Sequence, residues 1–243
     1  MAAFVGANLN AVPGGGTFIT YPVLLLLGNN SLTANATSTV VLWPGALTSL
    51  TGFQKEIKKN SKWVKLYIIP VLLGAIVGSV ALINTPSSLF YWIAPILIIF
   101  GSLLMQFREG INDLFVSLRL DKNNRLSISM ALIFIISAYG SYFGAGIGIL
   151  LLGALSILGI KSIYENIAIK NVLAIVANFI ALLVFVFAGF VSWHYVPVMV
   201  LGAVIGGYTG SRLIKKVNQR LVRDSVIALG YTMALLLFIF RIH

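Results

Sequence analysis

Long apolar stretches alternate with short polar ones along the whole chain. A transmembrane helix needs about 20 mostly apolar residues. Residues 33–53, 63–83, 88–107 and 166–189 meet that length, and 194–212 and 224–240 nearly do. Two further apolar stretches are interrupted. Residues 2–27 are broken by Val12-Pro13-Gly14-Gly15-Gly16, and residues 127–158 by Gly140-Ser-Tyr-Phe-Gly144-Ala-Gly146-Ile-Gly148. Proline lacks a backbone N–H and clashes inside a helix, and clustered glycines destabilise one. Each side of the first break holds about 11 residues, roughly 16 Å of helix, against a hydrocarbon core about 30 Å thick. Such arms predict a re-entrant hairpin whose tip lies inside the protein. The second stretch has a longer first arm, residues 127–139, which leaves a tilted crossing open there.

Two hexapeptides, Leu73-Gly-Ala-Ile-Val-Gly78 and Leu201-Gly-Ala-Val-Ile-Gly206, occupy matching places in the two halves. The basic loop precedes the hexapeptide helix in the first half and follows it in the second. Lys55, Lys58, Lys59, Lys62 and Lys65 lie in 54–65, and Arg108, Arg119, Lys122 and Arg125 in 108–125. Lys161 and Lys170 lie in 159–170, and Arg212, Lys215, Lys216, Arg220 and Arg223 in 212–223. These are sixteen of the 17 basic residues; Arg241 is the last, and loops 28–32, 84–87 and 190–193 carry no charge. Basic loops collect on the cytoplasmic side. All four basic segments fall there if 127–158 returns to the side it left, as a re-entrant hairpin does.

The expected fold is therefore all-α and integral to the membrane. Two inverted-topology repeats, 1–107 and 127–243, each hold a broken re-entrant hairpin and three transmembrane helices. Three crossings is an odd number, so the second copy is upside down. Segment 108–126 is a cytoplasmic linker. Phe107, Ile111, Leu114, Phe115 and Leu118 fall on one face at helical spacing, which predicts an amphipathic helix lying in the interface. Inverted repeats with broken helices are a transporter architecture, with the substrate site near the midplane.

Composition agrees with a bilayer as solvent: 59% of the 243 residues are hydrophobic and 9% charged, with mean hydropathy +0.99. A soluble domain carries roughly 25% charged residues. The net charge of +11 reflects loops on one membrane face rather than nucleic-acid binding. There is no cysteine, so disulfides and thiolate metal sites are excluded. No cofactor is expected. The two histidines, His194 and His243, form no pair, and no nucleophile–base pair, phosphate loop or acidic pair is visible, which argues against an enzyme.

The order of these motifs resembles the TauE/SafE sulfite exporter family. In the first half they are Gly14-Gly-Gly-Thr-Phe-Ile-Thr-Tyr-Pro22-Val-Leu, Leu27-Gly28, Asn35-Ala-Thr-Ser-Thr39, Trp63 and Gly74-Ala-Ile-Val-Gly78. In the second they are Gly144-Ala-Gly-Ile-Gly148, Leu158-Gly159, Asn166, Gly189-Phe-Val-Ser-Trp193 and Gly202-Ala-Val-Ile-Gly206. The second half lacks a counterpart of Pro22, and Lys170 stands where the first half has Thr39. The resemblance implies transport of sulfite, sulfonates or related small organic anions across the cell (inner or plasma) membrane.

An anion site needs donors inside a low-dielectric wall. Helix N-termini supply unpaired N–H groups with partial positive charge, and glycine lets an anion approach the backbone. Gly14, Gly15 and Gly16 and Gly144, Gly146 and Gly148 are therefore candidate substrate contacts. Gly74/Gly78 and Gly202/Gly206 read as packing residues. Asn35, Thr37, Ser38 and Thr39 open one helix, and Asn166, Lys170 and Asn171 the matching one. Capping explains one such residue per helix, not four. Two readings fit Lys170: it faces the cavity as counter-charge to the anion, or it snorkels to the surface or pairs with Glu165. Asn8, Asn10, Tyr139, Tyr142 and Asn178 read as helix–helix hydrogen-bond partners. Trp63, Trp92 and Trp193 read as interface anchors, and Trp43 as a cavity wall. All six acidic residues lie in or beside the basic segments, so no carboxylate is expected at the midplane. The partners expected are the bilayer and a small anion, with homo-oligomerisation left open. The rival class is a membrane subunit or scaffold for a peripheral partner that transports nothing itself.

Overall fold

A computed structural model describes residues 1–10, 15–117, 122–157, 162–213 and 219–240. Gly14, the Leu158-Gly159 pair and the basic residues Arg119, Lys161, Lys215, Lys216 and Arg241 lie outside the described residues. Every regular element described is helical. Helices α1 (Ala2–Asn10) and α2 (Thr17–Leu26) flank the first break. They hold 9 and 10 residues, roughly 15 Å of helix each. Helix α3 (Ser31–Ser49) follows, its start fixed by the Asn30 side chain, which accepts the Thr33 N–H at 2.8 Å. Then come α4 (Gln54–Lys59), α5 (Ser61–Ile83), α6 (Ser87–Gln106) and α7 (Arg108–Ser117). The second break separates α8 (Lys122–Tyr142) from α9 (Ile147–Ser156), and α10 (Ile163–Phe187), α11 (Val196–Leu213) and α12 (Gln219–Phe240) complete the chain.

Among the described residues four helical stretches are long and apolar enough to cross a membrane: Ser61–Ile83, Ser87–Gln106, Asn124–Tyr142 and Tyr164–Phe187. The second broken pair is thus a long arm and a short one, where the first has two short arms. The stretch expected to cross at 33–53 differs. It is helical only to Ser49, a 3-10 turn takes Leu50–Gly52, and it is not among the four apolar spans. The reason is its buried polar face: Asn35, Thr37 and Ser38 point into the protein rather than toward lipid.

Helix pairing crosses between the halves. Helix α5 packs on α8, and α11 packs on α1 and α3. Both contacts run through the hexapeptides. A β-carbon at Gly78 would overlap the carbonyl oxygen of Ala138 on α8, and one at Gly206 would overlap that of Phe4 on α1. The packing reading of these glycines fits both. Around this frame lie two main apolar clusters. One holds Phe18, Tyr21, Phe90, Phe143 and Phe185; the other holds Tyr67, Val71, Ile133, Leu151 and Leu173.

Phe107, just before α7, and Leu114 within it are exposed, as an interfacial helix would leave them. Helix α8 begins at Lys122, inside the segment read as linker. Trp92 and Trp193 are exposed, whereas Trp63 is half-buried and stacks on Tyr67 at 6.3 Å. Trp43 does not line the cavity. Its Nε1 donates to the Ile175 carbonyl at 3.1 Å and its ring stacks on Phe179 at 5.1 Å, fastening α3 to α10.

Replacing Gly78 or Gly206 by leucine forces two backbones apart. Overpacking costs about 1–3 kcal/mol, and thermal unfolding in detergent should show a clear fall in Tm. Gly110→Ala is the control. Nothing lies within 4 Å of a β-carbon there, and alanine in an exposed helix should hold or slightly raise Tm.

Candidate functional site

Each break frees backbone groups that must be satisfied inside the protein. At the first, the Asn10 side-chain oxygen accepts the N–H groups of Gly15 (3.1 Å) and Gly16 (2.7 Å), tying the end of α1 to the start of α2. At the second, the Tyr139 hydroxyl donates to the Ala145 carbonyl at 2.6 Å. Gly144 (φ +88°) and Gly146 (φ +79°) turn the chain there through left-handed geometry that favours glycine.

The two breaks meet. A β-carbon at Gly144 would lie 3.5 Å from the Thr17 hydroxyl. Behind them, Gly101 of α6 sits where a side chain would press on Phe18 and Ala145 together. Tyr21 meets Phe143 edge-on at 5.7 Å, and Phe143 meets Phe90 at 6.2 Å.

Beside this junction lies a cavity of about 50 Å³, room for roughly three to five waters at about 10–15 Å³ each, or for one small oxyanion. The breaks contribute Asn10, Thr17, Gly144, Ile147 and Gly148 to its wall. Helix α3 contributes Thr39, Leu42, Ala46 and Ser49, and α10 contributes Lys170, Asn171, Ala174 and Asn178. Lys170 is the charged group among these lining residues, and at 2% exposure it does not reach the surface. The snorkelling reading therefore fails. Both carboxylate oxygens of Glu165 are engaged elsewhere, by Lys59 at 2.6 Å and Asn60 at 3.0 Å. The Nδ2 of Asn171, 5% exposed, has no acceptor among the described residues.

Of the candidate contacts read from sequence, Thr39, Gly144, Gly148, Lys170 and Asn171 come together on this wall. The remaining described candidates do not line it. Gly15 and Gly16 are held behind Asn10, and Gly146 packs on Gly101. Asn35 donates to the Tyr142 carbonyl at 2.9 Å, Thr37 accepts the Ser192 N–H at 3.0 Å, and Ser38 bonds Thr20. Asn166 is buried elsewhere at the start of α10. Asn8 and Tyr142 do bridge helices, to Thr209 at 3.2 Å and Thr85 at 3.1 Å. Asn178, read as a helix–helix partner, lines the cavity instead, and Asn10 does both, tying α1 to α2 and lining the cavity. Thr17 and Ser49 were missed. Thr17 was findable as the first polar side chain after the break; Ser49 carries no such signal.

The two long helices that line the cavity, α3 and α10, each make a polar contact with the other half near their starts. At the start of α10, Glu165 holds Lys59 and Asn60. At the start of α3, Thr37 and Asn29 hold Ser192. Among the described residues no cluster of three or more His, Asp or Glu could hold a metal.

A helical membrane protein with a small polar cavity, walled by two broken helix pairs and holding a buried lysine, belongs to the class of multi-pass transporters. The comparisons carry this further. The family model described as Sulfite exporter TauE/SafE matches residues 1–237, so the chain belongs to that family of transporters, which are not enzymes. A "Probable membrane transporter protein" of Haemophilus influenzae is 25% identical, over 95% of this chain and 89% of its own length. The "Probable membrane transporter protein YfcA" of Escherichia coli is 24% identical, over 96% and 85%. No solved structure matches the chain.

The Lys59–Glu165 pair has one partner 71% exposed. Such pairs are weak and screened by salt. A double-mutant cycle with Lys59→Ala and Glu165→Ala, read by thermal unfolding, should give a small favourable coupling that shrinks at high salt.

Proposed function

We propose that this protein is a secondary transporter of a small anion such as sulfite, a sulfonate or a related organic anion. It sits in the cell (inner or plasma) membrane with its basic loops in the cytoplasm. Residues 1–107 and 127–243 act as inverted repeats joined by 108–126, and alternating access exposes the cavity to one side and then the other. The observation that carries this reading is the buried Lys170 beside the α9 N-terminus, lining one cavity with Thr39 and Asn171. A buried ammonium in a transmembrane helix marks an ion path. The first N–H groups of α9 have no partner within the helix itself and carry partial positive charge.

Together these donors suit an oxyanion. Gly148 lets it approach the backbone, Lys170 neutralises its charge, and the Thr39 hydroxyl and Asn171 amide orient its oxygens. The contacts at Glu165 and at Ser192 serve as closures on the two sides, one released while the other holds. The exposed lysines of α4 and early α5 (Lys55, Lys58, Lys59, Lys62 and Lys65) would raise anion concentration at the cytoplasmic face. The polar cavity and the transporter family favour this over a scaffold without transport.

Flux of sulfite and of methanesulfonate into proteoliposomes tests the reading. Wild-type protein should carry at least one of the two, and Lys170→Met should reduce that flux at least tenfold. An anion that binds the folded state should also raise Tm, by an amount equivalent to about 2.7 kcal/mol at a hundred times its Kd. Normal flux in Lys170→Met, or no flux and no shift in wild type with any small oxyanion, would refute the reading.

A further inference from the structure

The two breaks are not equivalent as anion sites, and the difference traces to one side chain. At the start of α2 two successive amides, Gly15 and Gly16, point at a single oxygen, Oδ1 of Asn10, at 3.1 and 2.7 Å. Paired amides of this kind bind a carboxylate or sulfonate oxygen equally well. Here the chain supplies the oxygen itself. At the start of α9 no side chain among the described residues intervenes in this way. The Tyr139 hydroxyl binds a carbonyl there, not an amide, and Gly148 lines the cavity directly.

Asn10 lines the same cavity. It stands on the wall contributed by the first break, while Lys170 and Asn171 stand on the α10 wall. The Asn171 Nδ2, buried and without an acceptor among the described residues, offers a donor to whatever occupies the space between. The cavity thus has one wall with an open amide donor and one closed by a carboxamide.

We propose that Asn10 is a specificity-determining residue: by occupying the Gly15 and Gly16 amides it confines the substrate's anionic group to the α9–α10 wall and makes the site selective for monoanions. This rests on the anion-transporter reading above. A substrate with a second anionic group finds no donors for it at the first break while the Asn10 oxygen holds them. Removing that oxygen turns the closed wall into a second anion subsite.

The test compares three probes binding the purified full-length protein in detergent, by titration calorimetry. Methanesulfonate carries one charge, methanedisulfonate two, and 1-propanesulfonate one charge with added bulk. Wild-type protein should bind methanesulfonate at least tenfold more tightly than methanedisulfonate. In Asn10→Ala that ratio should fall about tenfold, with a smaller gain for 1-propanesulfonate. Asn10→Asp keeps an acceptor for the two amides and adds a charge, so affinity for the disulfonate should fall further than affinity for the monosulfonate. The proposal is overturned if Asn10→Ala leaves the ratio unchanged, weakens both anions in parallel, or favours 1-propanesulfonate as much as the disulfonate. Should Asn10→Ala not fold, Asn10→Asp decides: equal loss for both anions overturns the proposal. Wild-type protein that binds none of the probes removes the anion-transporter reading and this proposal with it, whereas wild-type binding with an unmoved ratio removes this proposal alone.

Discussion

A bilayer core offers no water to a broken helix, so every N–H and C=O freed by a break must find its partner within the protein. The architecture around the cavity follows from that constraint. The first break is closed by the Asn10 oxygen on two amides, and the second by the Tyr139 hydroxyl on a carbonyl. Neither break could face lipid. Both are driven to the interior, where they meet at Thr17 and Gly144. Helices α5 and α11 brace the longer elements around them through glycine contacts at Gly78 and Gly206. Those contacts are too close for any side chain, so each arm is held against a rigid neighbour from the other half.

The same constraint distributes polarity. Helix α3 is too polar to count as an ordinary apolar span, and its Asn35, Thr37 and Ser38 are spent on contacts with the Tyr142 carbonyl, the Ser192 amide and Thr20. Thr39, one position further on, reaches the cavity. Helix α10 places Lys170 and Asn171 opposite. Each of these helices also anchors a contact to the other half at its start, neutral at Asn29 and Thr37 and ionic at Glu165. A mechanism that opens the cavity on one side has these two contacts as natural points of release, and they differ in their response to salt.

Much of this was legible in the amino-acid order. The Pro-Gly and Gly-rich interruptions located both breaks, and the four-residue glycine spacing identified the tight helix contacts. Lys170 was recognisable as anomalous because one charge stands in an otherwise apolar run. Periodicity could not tell which polar residues of a buried helix face a cavity and which bond a neighbouring helix. Asn35, Thr37 and Ser38 differ from Thr39 only by rotation about one axis, and that rotation is fixed by packing on partners distant in sequence. The cavity-lining place of Asn10 and Asn178 is hidden for the same reason. Gly15 and Gly16 were read as open donors because nothing local reveals that a side chain five and six residues upstream folds back onto them.

A shared cavity of this kind requires both basic loops, one in each half, to face the same side of the membrane, since only an inverted second half puts the two breaks on opposite approaches to it. The chain contains no cysteine, so single cysteines can be introduced without background. Lys58→Cys and Lys216→Cys, treated in intact cells and in inverted vesicles with a membrane-impermeant thiol reagent, give the most direct reading. Protection of both in intact cells and labelling of both in inverted vesicles is the predicted result. Labelling of one from each side would contradict the inverted arrangement and the shared cavity built on it.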